Sequence, residues 1–117
     1  MKMDRINPGS GPEGRPVAED QDIVVWMEPR ADEIAGFFKA LSHEGRLMIL
    51  CHLASGEKSV TELEALLGQR QAAVSQQLAR LRLEGLVTTR REGKAIFYAL
   101  HDPRVMRLLR ALPATFD

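Results

Sequence analysis

The chain has 117 residues, 44% of them hydrophobic and 27% charged, enough for one domain with a single modest core. Its one cysteine excludes an internal disulfide framework and a thiolate-rich metal site within one chain. No stretch approaches the roughly 20 apolar residues of a membrane span. The N-terminus lacks the charged-then-apolar layout of a secretory signal, so a cytoplasmic location is expected.

Residues 1–20 read as a disordered tail, turn-rich through Asn7-Pro8-Gly9-Ser10-Gly11-Pro12 and Gly14-Arg15-Pro16, with 21–117 as the folded domain. Ile23, Val24, Val25 and Trp26 form a short apolar patch, either a first helical turn that packs on a dimer or an apolar linker. Ile34, Phe37, Phe38 and Leu41 then follow helical spacing. Ser42 suits the cap of a second helix, with Glu44 in its first turn. That helix carries Leu47, Leu50, Cys51 and Ala54 as its stripe, widened by Ile49 and Leu53, and stops at Ser55-Gly56. Ser59 or Thr61 opens a third helix with Val60, Leu63, Leu66 and Leu67, broken by Gly68. A fourth spans about 71–84 with Val74, Leu78 and Leu81 inward, closed by Gly85.

The period then drops from 3.6 to about 2. Residues 86–90 and 95–100 read as strands joined by Arg91-Glu92-Gly93-Lys94. Asp102-Pro103 caps a last helix with Val105, Leu108, Leu109 and Leu112 as its stripe and Pro113 as its end. The expected fold is mainly α with a β-hairpin wing, in the order α-α-α-α-β-β-α. Two short helices with a Gly-containing turn, followed at once by a hairpin, are the parts of a winged helix-turn-helix.

The zero net charge is split unevenly. Residues 1–69 hold seven basic and twelve acidic side chains, a net of −5; residues 70–117 hold nine and four, a net of +5. A basic half suits a polyanion, or is simply a solvated surface. The fourth helix separates these readings. With Val74, Leu78 and Leu81 inward, the opposite face carries Ala72, Ser75, Gln76 and Ala79, preceded by Gln71. Small residues and an amide suit the major groove: Gln76 can pair bidentately with adenine, and Ala72 or Ala79 can meet a thymine methyl. Arg70, Arg80 and Arg82 flank the helix as phosphate contacts, and Arg90, Arg91 and Lys94 cluster on the wing. Ile34, Phe37, Phe38 and Leu41, with Val105, Leu108, Leu109 and Leu112, offer more apolar surface than one small chain covers. A two-fold homodimer would bury the excess and space two groove helices about one DNA turn apart.

Leu41-Ser42-His43-Glu44-Gly45-Arg46-Leu47-Met48-Ile49-Leu50, Gln71-Ala72-Ala73-Val74-Ser75-Gln76-Gln77-Leu78, Leu83-Glu84-Gly85-Leu86-Val87 and Arg90-Arg91-Glu92-Gly93-Lys94 through Tyr98 resemble the ArsR/SmtB repressors in order and spacing, over roughly residues 33–112. The resemblance implies a homodimer whose affinity for double-stranded operator DNA is switched by an inducer. It also implies that the helix over 71–82 reads the groove and the loop over 91–94 is the wing. Metal-sensing relatives place two cysteines where this chain has Glu62-Leu63-Glu64-Ala65, or Asp and His ligands along the last helix, where only Asp102 follows His101. No metal or cofactor is therefore expected.

The sequence around Cys51 resembles a sulfur-sensing branch with one cysteine in the second helix and a partner near the end of the last. Here the chain ends Leu112-Pro113-Ala114-Thr115-Phe116-Asp117, so no intrachain bridge can form. Cys51 is a candidate sensor thiol through persulfidation, oxidation or an interchain bond, or else an inert core thiol on its helix stripe. His43 and His52 with Cys51 are either structural or a metal set. An enzyme is not expected: Ser42, His43 and Glu44 are adjacent rather than convergent, and no Gly-rich phosphate loop is present. The alternatives are a winged-helix protein-interaction module, and a regulator whose small-molecule inducer bypasses Cys51.

Overall fold

The computed structural model describes residues 20–117, so the tail expected over 1–20 lies outside the described residues except for Asp20. The elements are α1 (Asp20–Met27), a 3-10 turn (Glu28–Arg30), α2 (Ala31–Leu41), α3 (Glu44–Leu53), β1 (Lys58–Ser59), α4 (Val60–Leu67), α5 (Gln71–Leu83), β2 (Val87–Glu92), β3 (Ala95–Leu100) and α6 (Pro103–Phe116). They fall into two compact units that divide within α2, one ending at Phe37 and the other running from Phe38 to Asp117. The first unit turns the Ile23–Trp26 patch into two turns of helix with those four side chains exposed. The Arg30 guanidinium lies 4.4 Å over the Trp26 ring and donates to the Trp26 carbonyl.

The second unit is a helical core with a small antiparallel sheet on it. Ile49 and Leu50 of α3, Leu63 of α4, Val74, Leu78 and Leu81 of α5 and Val105 of α6 all have 0% exposure. The sheet order is β1-β3-β2, with Lys58 opposite Tyr98 and Val87 opposite Leu100. The fold expected from sequence is therefore present, with several local corrections.

The α3 cap is His43, not Ser42. His43 is extended (φ −127°, ψ 128°), and its Nδ1 accepts from the Gly45 N–H at 3.0 Å. The Ser42 hydroxyl instead donates back to the Lys39 carbonyl, closing α2. Arg46 ties the same corner, its Nε donating to the Ala40 carbonyl at 2.7 Å. Cys51 is exposed rather than in the core. The buried arc of α3 is set by Ile49, Leu50 and Leu53, and at 100° per residue Cys51 falls about 150° from its centre.

Leu41 and Val105 are also reassigned. Expected at a dimer interface, both are buried within the second unit's own core. Pro113 does not end α6, which runs on to Phe116. A proline so near a C-terminus removes one donor only, and the Thr115 hydroxyl bonds the Ala111 carbonyl at 2.7 Å. The hairpin strands extend to Glu92 and from Ala95, so the loop is Gly93-Lys94 alone and Arg91 belongs to a strand. The two-residue β1, too short for a period-2 signal, is an addition.

Asp102 caps α6 as expected, accepting from the Arg104 N–H at 2.9 Å and from its guanidinium at 2.7 Å. Those side-chain bonds from Arg104, first, hold the Asp102 carboxyl below the usual carboxylate range. A lowered folded-state pKa adds stability above the unfolded value and loses it as pH falls through the folded one. Asp102→Ala is therefore expected to lower stability at pH 7 by about 1–2 kcal/mol, the gap from wild type closing as pH drops from about 4 downward. Urea melts across pH measure it. In the same assay Ile49→Ala should cost about 2–5 kcal/mol, and Met48→Ala, one residue away on the exposed side, less than about 0.5.

Candidate nucleic-acid interface

The helix-turn-helix is α4 and α5. Ser59 and Glu62 form a reciprocal capping box that starts α4: the Glu62 N–H donates to the Ser59 hydroxyl at 3.1 Å, and the Ser59 N–H to the Glu62 carboxylate at 2.7 Å. Gly68 ends it in the left-handed region at φ +64°, which only glycine adopts readily, and its N–H reaches the Glu64 carbonyl at 2.8 Å. Three residues later the chain is helical again. Arg70 occupies the α5 cap position without a side-chain bond, and no acid sits in the first turn. Among the described residues no side chain caps that end, where the helix dipole is positive.

Both faces of α5 are set by position alone. Val74, Leu78 and Leu81 are fully buried, while Gln71, Ala72, Ser75, Gln76 and Ala79 are exposed together. Not one of the thirteen residues of α5 is acidic. Gln77 was not singled out from sequence. It lies half-buried against Gly45 at the start of α3, where an added Cβ would stand 2.7 Å from the Gln77 Oε1. Glycine at 45 thus leaves room for the end of the Gln77 side chain, whose Oε1 is buried without a hydrogen-bond partner among the described residues.

The expected cations separate into two groups. Arg70, Arg82, Arg91 and Lys94 are exposed, and among the described residues no carboxylate pairs with them. Arg80 pairs with Glu84 one turn on at 3.2 Å. Arg90 is bound to two carboxylates, Glu57 at 2.7 Å and Glu92 at 3.0 Å. Nothing in the local sequence announced the pair with Glu57, 33 residues away.

Cys51 is exposed on α3, and partial desolvation raises its thiol pKa above the ordinary value. His43, Glu44, Met48, His52 and Leu66 line an open groove of about 470 Å³ between α3 and the end of α4. No three His, Cys, Asp or Glu side chains among the described residues converge as metal ligands.

Residues 43–89, which hold the capping corner of α3, the helix-turn-helix and the start of the wing, match the model of bacterial regulatory proteins of the arsR family. The biofilm growth-associated repressor of Agrobacterium fabrum is 54% identical over 90 residues, 77% of each chain. The chain belongs to the ArsR family. The solved transcriptional repressor BigR from Xylella fastidiosa superposes with a TM-score of 0.76 at 47% identity, over 80% of this chain and 95% of that one. Reduced HlyU from Vibrio cholerae does so at 0.72 and 40% identity, over 78% and 96%. Like its family, the chain is a DNA-binding transcription regulator and not an enzyme. Among the described residues no helix is long and apolar enough to cross a membrane.

Proposed function

We propose that this ArsR-family chain is a homodimeric cytoplasmic repressor that places α5 in the major groove of its operator and lays the β2–β3 wing along the flanking backbone. The observation that carries it is the two-sidedness of α5: one face wholly buried, the other a patch of Gln71, Ala72, Ser75, Gln76 and Ala79 without a carboxylate. Long apolar or acidic side chains would block the groove or repel phosphate; amides, hydroxyls and methyls can meet base edges. Arg70 and Arg82 are placed to hold phosphates beside α5, with Arg91 and Lys94 doing so from the wing. The sense of the regulation, repression, is taken from the Agrobacterium and Xylella relatives, which carry that name.

A second copy is proposed because apolar surface remains uncovered. Leu108, Leu109 and Leu112 on α6 are only half-buried, as are Ile34 and Phe37 on α2, and Phe38 is 49% exposed. With Leu41 and Val105 removed from the set, Phe38, Leu108, Leu109 and Leu112 of the second unit are proposed as dimer residues, and Ile34 and Phe37 of the first unit are proposed separately. A two-fold pairing through them presents two α5 helices to two half-sites.

One observation favours a thiol-responsive form of this reading: Cys51 is exposed, not enclosed. With a single cysteine, its chemistry is persulfidation by a polysulfide, oxidation by peroxide, or a bond to a second chain. Its raised pKa keeps the thiolate fraction low, so the reaction would be slow at neutral pH.

Fluorescence anisotropy on a duplex from upstream of the chain's own gene, beside a mixed-sequence duplex, tests the groove assignment. Gln76→Ala should weaken binding to the first by about 1–3 kcal/mol and leave the second nearly unchanged. Arg82→Gln should weaken both and reduce the salt slope by about 1. Absence of salt-dependent binding to any duplex would instead make this a winged-helix protein-interaction module. For the thiol, polysulfide or peroxide should release the wild type from its promoter duplex and leave Cys51→Ser bound. Equal release of both proteins would assign the inducer to another site.

A further inference from the structure

Among the described residues Arg90 is the wing cation that carboxylates hold, although its side chain stays 51% exposed. Its Nε donates to the Glu57 Oε2 at 2.7 Å and its Nη2 to the Glu57 Oε1 at 2.8 Å, a two-point pair. Its Nη1 donates to the Glu92 Oε1 at 3.0 Å. The guanidinium carbon sits 4.7 Å from the centre of the Phe97 ring. One cation between two carboxylates leaves the cluster at a formal charge of −1. That sign repels a phosphate.

The register explains how Arg90 reaches so far. Arg90 in β2 faces Phe97 in β3, and Phe97 faces Ser59 in β1. The side chain therefore crosses the central strand above its own cross-strand neighbour. It ends on Glu57, the residue before β1, two strand spacings or about 10 Å away. Lys58 steadies that loop, its ammonium donating to the Ser55 hydroxyl at 3.1 Å and the Gly56 carbonyl at 3.2 Å. The loop leads through Ser59 directly into α4.

We infer that Arg90 is a positioning residue: with Glu57 it clamps the wing to the loop that starts the helix-turn-helix, and so sets where Arg91 and Lys94 stand relative to α5. On this reading the DNA contacts of the wing are Arg91 and Lys94, and Arg90 acts on DNA through them. The inference rests on the operator-binding reading above. It adds that an acidic residue, Glu57, promotes binding to a polyanion. An exposed ion pair adds little to overall stability, but a planar two-point pair with an aromatic ring beneath it holds direction well.

The sign of the Glu57→Gln effect decides between clamp and contact. Anisotropy titrations of the full chain use the promoter and mixed-sequence duplexes over a range of salt concentrations, with circular-dichroism melts to confirm folding. If Arg90 is a clamp, Glu57→Gln weakens binding about three- to fivefold although it removes a negative charge. Arg90→Gln weakens it equally with the salt slope kept within about half a unit, whereas Arg91→Gln lowers the slope by about 1. The exchanged pair Glu57→Arg with Arg90→Glu regains at least half of the lost affinity. Tighter or unchanged binding by Glu57→Gln overturns the clamp, as does an exchanged pair no better than the single variants.

Failure of the operator-binding reading looks different: the wild type then binds neither duplex. In that event amide hydrogen exchange over residues 91–95 still tests the clamp. Faster exchange in Glu57→Gln that the exchanged pair reverses supports it, and unchanged exchange rejects it.

Discussion

The surface that α5 presents is governed by the surface it hides. Val74, Leu78 and Leu81 are fully enclosed with Ile49 and Leu50 of α3 and Leu63 of α4 in the same core. Burying side chains of this kind contributes about 1.5–3 kcal/mol each relative to exposure, so the rotation of α5 about its axis is strongly fixed. Turning the helix by one residue, 100°, would expose a leucine and bury an amide. The positions of Ser75 and Gln76 are thus set by packing, before any ligand is present. Gly45 adds the space that the Gln77 amide occupies beside α3, since a methyl there would displace the end of that side chain. Preorganisation of that kind matters for base reading, where a bidentate contact tolerates little angular error.

Charge is arranged differently from packing. The basic half of the chain holds its net +5 without offering all of it to solution. Glu84 takes Arg80, Glu57 and Glu92 take Arg90, and Asp102 engages Arg104. Each of these pairs serves geometry close at hand: a helix end, the edge of a sheet, a helix cap. Among the described residues the unpaired cations near α5 and the wing are a smaller set than the composition suggests, and they lie at the ends of α5 and on the hairpin. The sequence total could not distinguish a cation that holds the fold from one that meets a ligand, because the distinction depends on partners distant in the chain.

The same division explains what was readable from the residues and what was not. Elements whose cause is local were legible: the α4 cap at Ser59, the α6 cap at Asp102 followed by Pro103, the turn at Gly68, and the inward stripe of α5. The exposed polar face of α5 follows from that stripe by helical geometry alone. Features with a non-local cause were not legible. Strand β1 exists only because β3 lies beside it, and two residues carry no periodicity of their own. Glu57 gained its role from a partner 33 residues on. Cys51 shares the spacing of Leu47, Leu50 and Ala54, which suggests a core stripe, yet the buried arc is centred on Ile49 and Leu53. The spacing of Leu41 and Val105 marks them as apolar stripe residues but does not tell a dimer surface from this chain's own core, which encloses both.

Cys51 shows how these constraints meet. A sensing thiol must be reachable, and must change something that matters to α5. Its exposure on α3 meets the first condition. The second is met only indirectly, because the neighbours of Cys51 on the buried side, Leu50 and Leu53, belong to the core that holds α5, while the thiol itself faces away from it. Adding a sulfur atom or a sulfenic oxygen to an outward-facing side chain creates no cavity and forces no overpacking in that core, and so gives no direct strain on the groove helix. Transmission would need a second surface resting on the outer side of α3, and the proposed dimer residues, on α2 and α6, do not include that side. If Cys51 responds, whatever rests on that outer side must carry the change, and it would act on the position of α5 rather than on the packing that holds its shape.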